Sequence, residues 1–245
     1  MTTIATGLTS WGIAYLTTHI EDWSKPEESV AVSVETNPAK VGTFGNQGIS
    51  GVLPPGKKLA TAPGPGCDGF HPWLQANDGI DAGVSKIQVL VEGKASGQVQ
   101  ISNLRVIVLG KETPSSGVLV RCPSAGGANL RTIQIDLDRS LPKIQYLDKE
   151  GRPFGFTVEK GEVETFLVTA TAEKARYSWR LEMDITVDGE RKTVRVQNNG
   201  KPFQTAPDPH AGGWTWNYKD SWMQGEKRVG VGESFPAPAS REAGR

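Results

Sequence analysis

"RYSWRLEMDITVDGERKTVRVQ", residues 176–197, alternates apolar and polar side chains without a break up to Val187 and then turns at Asp188-Gly189. Tyr177, Trp179, Leu181, Met183, Ile185 and Val187 fall on one face, and Ser178, Arg180, Glu182, Asp184 and Thr186 on the other. A period of two with one apolar face is the pattern of a strand whose sheet is dry on one side and wet on the other. Asp-Gly is the pair favoured in two-residue hairpin turns. The stretch therefore predicts strand, tight turn, strand, and it sets the texture for its neighbours.

Outward from it the same alternation recurs. "EVETFLVTATA" (162–172), "NLRTIQIDLDRS" (129–140) and "GVLVRCPS" (117–124) read as strands, as does "SVAVSVET" (29–36). "SKIQVLVEG" (85–93) and "QVQISNLRVIVLG" (98–110) are parted by a short glycine-containing turn, which predicts a hairpin. With 29 Gly, 16 Pro and only 3 Met, the composition favours strands and turns over helices. No segment after Asp22 reads as a long helix. "LPPGKK" and "APGPG" make Pro54–Gly83 a long loop, since proline cannot donate within a sheet. Short strands at intervals of roughly ten residues are the mark of a sandwich. The expectation is an all-β, immunoglobulin-like antiparallel sandwich over 27–222, one elaborated or two joined, with Tyr177 placed like a tyrosine corner. Residues 223–245 are polar and rich in Pro and Gly, and predict a flexible tail. "GRPF" at 151–154 and "GKPF" at 200–203 are two similar strand starts.

Residues 2–20 carry no Lys, Arg, Asp or Glu, and Ile4, Leu8, Trp11 and Tyr15 recur at helical spacing. A helix over 1–24 follows. It reads either as a membrane anchor, with Trp11, Tyr15 and Trp23 at the interface, or as an amphipathic helix packed on the β region or on a partner. There is no basic stretch ahead of it, so it is not an ordinary signal peptide.

Lys plus Arg and Asp plus Glu both number 27. A net charge of zero gives no field to draw in nucleic acid, which is excluded as a partner. Phosphate-loop, serine-elbow and zinc-protease signatures are absent from the sequence. Two cysteines and three scattered histidines, His19, His71 and His210, do not make a metal centre, and neither metal nor cofactor is expected. Cys67 with His71 could serve as nucleophile and base, but Asp68 is a poor neighbour for a thiolate. The favoured reading is a disulfide from Cys67, at the head of the long loop, to Cys122, at the end of a strand. On the chain-entropy argument this would stabilise the fold by about 4 kcal/mol, less any strain. Such bonds persist outside the cytosol.

No catalytic residues are expected. Asp136 with Asp138, Glu162 with Glu164, and Glu182 with Asp184 have the spacing of paired carboxylates, yet on a half-exposed sheet they read as its solvated face. "WTWNYKDSW" (214–222) places Trp214, Trp216, Tyr218 and Trp222 at even positions, one face of a strand. Trp214, Tyr218 and Trp222 are the binding candidates. Trp214 and Trp216 are expected over the core, and Trp222, nearest the tail, at a partner surface.

Residues 151–205 resemble a group of uncharacterised actinobacterial envelope proteins, in which a short membrane span precedes a β-rich domain with two cysteines. The likeness rests on Gly151-Arg152-Pro153-Phe154, Lys160-Gly161-Glu162, Tyr177-Ser178-Trp179 and Gly200-Lys201-Pro202-Phe203. "VRCP" at 120–123 and the stretch Cys67–Trp73 agree more loosely. The resemblance implies a membrane-anchored, extracytoplasmic domain and supplies no catalytic residues. The functional expectation is a non-catalytic domain that binds a partner protein or a cell-wall glycan. A glycan hydrolase using carboxylates, or a sensor that signals through the N-terminal segment, are the alternatives.

Overall fold

The computed structural model describes residues 29–41, 48–59, 61–114, 117–123, 132–148, 151–208 and 212–236. The helix expected over 1–24 lies outside the described residues, as do His19 and His210. Among the described residues no helix is long and apolar enough to cross a membrane.

Among the described residues the structure is all-β apart from one short helix. Its strands are β1 (Val30–Glu35), β2 (Ile49–Leu53), β3 (Ile80–Ala82), β4 (Val84–Gly93), β5 (Val99–Glu112), β6 (Val118–Cys122), β7 (Thr132–Asp136) and β8 (Ile144–Leu147). They continue with β9 (Phe156–Val158), β10 (Val163–Thr171), β11 (Arg176–Val187), β12 (Glu190–Val196), β13 (Phe203–Ala206), β14 (Trp214–Trp216), β15 (Ser221–Gln224) and β16 (Lys227–Gly230). A five-stranded sheet has the order β1-β4-β10-β7-β8. An eleven-stranded sheet runs β16-β15-β14-β6-β2-β3-β13-β11-β5-β9, with β12 also on β11. The pairing is antiparallel except for β10 with β7, β13 with β3 and β14 with β6, so the purely antiparallel expectation is corrected at these three contacts.

β11 is the strand foreseen. All six of its inward residues are buried, and Asp188 and Gly189 take φ of 49° and 82°, the left-handed pair that a type I′ hairpin into β12 requires. The expected hairpin between β4 and β5 is corrected. β4 pairs with β1 and β10 in one sheet, whereas β5 pairs with β11 and β9 in the other. Residues 94–98 thus arch from one layer to the other. The link lacks an Asn-Gly or Asp-Gly pair, and other partners take up both edges of each strand, the longest being β10 for β4 and β11 for β5.

Two apolar cores result. In the larger one, Tyr177, Trp179, Leu181, Met183 and Ile185 of β11 pack against Ile87, Val89 and Val91 of β4, Phe166, Val168 and Ala170 of β10, and Ile133 and Ile135 of β7. The tyrosine-corner expectation is also revised. The Tyr177 hydroxyl donates to Asp138 Oδ1 at 2.8 Å, a side chain far upstream, and not to nearby backbone. Burial first, and then the Asp138 carboxylate, push its ionisation up to about 12.

The smaller core lies under β2, β6, β14, β15 and β16, and it corrects the long-loop reading of 54–83. Phe70–Ala76 forms helix α1 inside that stretch. Pro72 sits in its first turn, where a missing N–H costs nothing, and Phe70, Trp73 and Leu74 share its inner face. Gly51 of β2 permits the approach of α1, because a Cβ there would meet Leu74 Cδ2 at 2.3 Å. The flexible-tail expectation fails for 223–236. Gln224 is still in β15, β16 pairs with it through a turn at Gly225 (φ 58°), and Val229 and Phe235 are buried. Single apolar residues spaced through a polar stretch carried too little pattern to reveal this.

Candidate functional site

The chain passes from β3 in the large sheet to β4 in the small one through Gly83 alone, at φ 72°. A residue with a Cβ takes that backbone only under strain. Gly83 N–H donates to Ala206 O at 2.7 Å, and its carbonyl accepts from Ala172 N–H at 3.0 Å, so the sheets are stitched together here. Around the stitch they diverge and leave two open hollows that meet at Asp81. One, of about 380 Å³, is lined by Ser50, Asp81, Lys86, Thr171, Glu173 and Asp208. The other, of about 430 Å³, is lined by Thr36, His71, Asp81, Ser85, Asn198 and Gln204, among others.

Three ionisable side chains from three elements converge on this point. His71, from α1, has its Nε2 at 3.2 Å from Asp81 Oδ1, and its side chain is only 4% exposed. Lys86 of β4 is 6% exposed. Burial pulls its ammonium below the ordinary lysine value, and the nearby Asp81 charge works in the opposite direction. Ser85 also lines the larger hollow, which brings a serine, a histidine and an aspartate to one cavity. It is no nucleophile: its hydroxyl is shared with Thr205 Oγ1 at 2.7 Å, and Thr205 in turn accepts the Trp179 indole N–H at 3.0 Å.

The Cys67-to-His71 stretch resolves into two roles. Cys67 and Cys122 form the expected disulfide, with Cα atoms 5.8 Å apart, so no thiolate is available to His71. The pinned loop is held further by Trp73 Nε1 donating to Thr61 O at 2.8 Å and Asn37 Nδ2 donating to Asp68 O at 3.1 Å. Its outcome is to carry α1, and therefore His71, against Asp81. The sequence reading missed Asp81 and Lys86. Lys86 had a signal, a lysine inside the apolar run "VSKIQVLV", but Asp81 in "GIDAG" had none.

The carboxylate pairs are each engaged. Asp138 accepts from Glu173 N–H, Lys174 N–H and the Tyr177 hydroxyl, and Asp136 from Asp138 N–H and Arg139. Glu162 caps Glu159 N–H at 2.9 Å. Glu182 accepts from Arg180 at 2.7 Å and Arg105 at 3.4 Å, and the Arg180 bond above all holds it below the ordinary carboxylate range. Asp184 is 7% exposed, which corrects its placement on a wet face. Burial opposes its charge, but hydrogen bonds from Arg105, Thr193 and Asn103 prevail and its ionisation is also shifted down. Neither can act as a general acid near neutral pH.

The aromatic run is not one strand. Trp216 ends β14 and pairs with Trp222 of β15 across a turn in which Asn217 Oδ1 accepts N–H bonds from residues 219, 220 and 221. Trp222 is 0% exposed and touches Phe70, Trp73, Trp216 and Phe235. The partner-surface expectation for Trp222 is therefore corrected: folding the run into a hairpin turns this ring inward. Trp214 is buried as well, at 4%. Of the three binding candidates Tyr218 alone is exposed, at 43%, with φ 68° and its hydroxyl on Pro123 O at 2.7 Å.

A scan against protein-family models finds no match to the chain, and a search of curated proteins finds none similar to it.

Proposed function

We propose that the chain is an exported, non-catalytic binding domain that takes a component of the cell envelope, a wall glycan, in the cleft at Asp81. The observation that carries this reading is the meeting of two open hollows on one half-buried carboxylate. Hydroxyls and amides of Thr36, Ser50, Thr171, Asn198 and Gln204 line them, groups suited to sugar hydroxyls. A concave site with a few placed polar groups is where small ligands bind, and a protein partner would favour a flatter surface. The disulfide supports a location outside the cytosol. Attachment through residues 1–24 and kinship with actinobacterial envelope proteins belong to the same proposal. So does the immunoglobulin-like character of the larger core, two facing sheets closed over Trp179.

Co-sedimentation with purified peptidoglycan sacculi, stripped of their anionic polymers, tests it. The wild type is expected in the pellet, and Asp81→Asn and Asn198→Ala in the supernatant with unchanged circular dichroism. A wild type that stays in solution, or variants that pellet equally, would end the proposal.

One observation favours a second reading, a glycan hydrolase: Asp81, Glu173 and Asp208 line the same hollow. Against it, Arg121 holds Asp208 at 3.1 Å. Release of reducing ends from the glycan by the wild type and not by Asp81→Asn would decide for the enzyme.

A further inference from the structure

The outward face of β5, β11 and β12 gathers arginines into an array. Cross-strand register sets Arg105 and Arg195 on either side of Glu182, places Arg191 beside Thr186, and leaves Arg176 and Arg180 along β11 itself. Five guanidinium groups stand there against three carboxylates, Glu112, Glu182 and Asp184, on a chain whose net charge is zero. All three acids are engaged within the face, Asp184 by Arg105, Asn103 and Thr193, Glu182 by Arg105 and Arg180, and Glu112 by Arg176 at 3.9 Å. Arg191 and Arg195 are exposed and make no ion pair among the described residues. The Nε of Arg180, on the same face of β11, is buried without a hydrogen-bond partner.

We propose that this face binds a linear polyanion of the cell envelope, a polysaccharide or polyol chain bearing phosphate or carboxylate groups. Guanidinium forks match both groups, and charge-assisted bonds of this kind are the stronger ones. At about 3.3 Å per residue, Arg191 and Arg195 stand about 13 Å apart along β12, and Arg105 lies two strands across, about 10 Å away. The array therefore meets several repeats of an extended chain and is too wide for a single ion. No aromatic side chain lies on the face for bases to stack on, which separates it from single-stranded nucleic-acid platforms. The disulfide also points to a compartment where envelope polymers are the available polyanions. The site is separate from the cleft at Asp81 and does not depend on it.

The test is titration of the whole chain with poly(glycerol phosphate) and with polygalacturonate. The wild type is expected to bind at least one of them. Binding should weaken about tenfold in R191Q/R195Q, weaken less in R191K/R195K, which keeps the charge but loses the fork, and fall as salt rises from about 50 to about 200 mM. Both positions are exposed, so circular dichroism should be unchanged, and Asp81→Asn should bind as the wild type does. Absence of binding to either polymer, or equal binding by R191Q/R195Q, overturns the proposal. Tighter binding to anionic phospholipid vesicles or to duplex DNA than to both polymers overturns it as well.

Discussion

The two cores are closed by different means. The larger is made of long alternating strands, and its buried residues are mostly aliphatic, around Trp179 and the Phe154, Phe156 and Phe166 rings. No cross-link passes through it. The smaller is assembled from strands of three to five residues and from loops. There the disulfide and the cluster of Phe70, Trp73, Trp216, Trp222 and Phe235 replace regular alternation. Short strands bury little apolar area each, so a region built from them needs large rings and a staple. The cleft lies where the two kinds of construction meet, which is why His71 comes from the stapled part and Lys86 from the regular one.

The comparison is broken most directly at its two central tryptophans. Trp179→Ala and Trp222→Ala should each cost about 3–5 kcal/mol, seen as large falls in melting temperature. If Trp222→Ala melted like the wild type, the smaller core would not be a core. Removing the staple with Cys67→Ser/Cys122→Ser should cost about 2–4 kcal/mol. By hydrogen exchange the loss should fall on β2 and β6 while β11 keeps its protection. Uniform loss across both regions would show that the staple supports the whole molecule.

A smaller effect sharpens the electrostatic contrast. Arg105→Met leaves Asp184 buried with fewer donors and should cost about 1–3 kcal/mol near neutral pH. Glu182 and Asp184 are held below their ordinary values, so what they contribute is complete above the carboxylate range and is lost as pH falls through their lowered values. The variant should therefore show a shallower loss of stability in acid than the wild type, and equal slopes would sink the assignment. Tyr177→Phe should be mildest, about 1 kcal/mol. With ionisation raised to about 12, the stability Tyr177 confers is present below the ordinary tyrosine value and is lost as pH climbs through about 12. An alkaline unfolding profile unchanged in Tyr177→Phe would contradict it.

Much of the larger core was legible because it obeys one local rule. Alternation in 162–197 places Phe166, Val168, Trp179 and Leu181 inside before any contact is known. The smaller core was legible at its cysteines, since a pair of thiols can be matched by counting, at the strand in 117–124, and at Trp214 and Trp216, both expected over a core and both buried in this one. Helix α1 was hidden by Pro72 and the glycines around it, and β16 by the charged Glu226, Lys227 and Arg228 and the glycines on either side of it. The candidate site was the least legible part. His71 stood out as a residue, but its partner Asp81 sits in five ordinary positions of sequence.

By itself, then, the sequence determined what depends on neighbours along the chain: the all-β class, the Asp188-Gly189 hairpin, the inner face of β11 and the cysteine pair. Tertiary structure alone decided which sheet each strand joins, whether Trp222 points in or out, and where His71, Asp81 and Lys86 meet. Those outcomes turn on pairing between residues far apart in sequence, such as β3 with β13. Local propensity and alternation are the same for every such partner, so nothing in a window of residues can tell them apart.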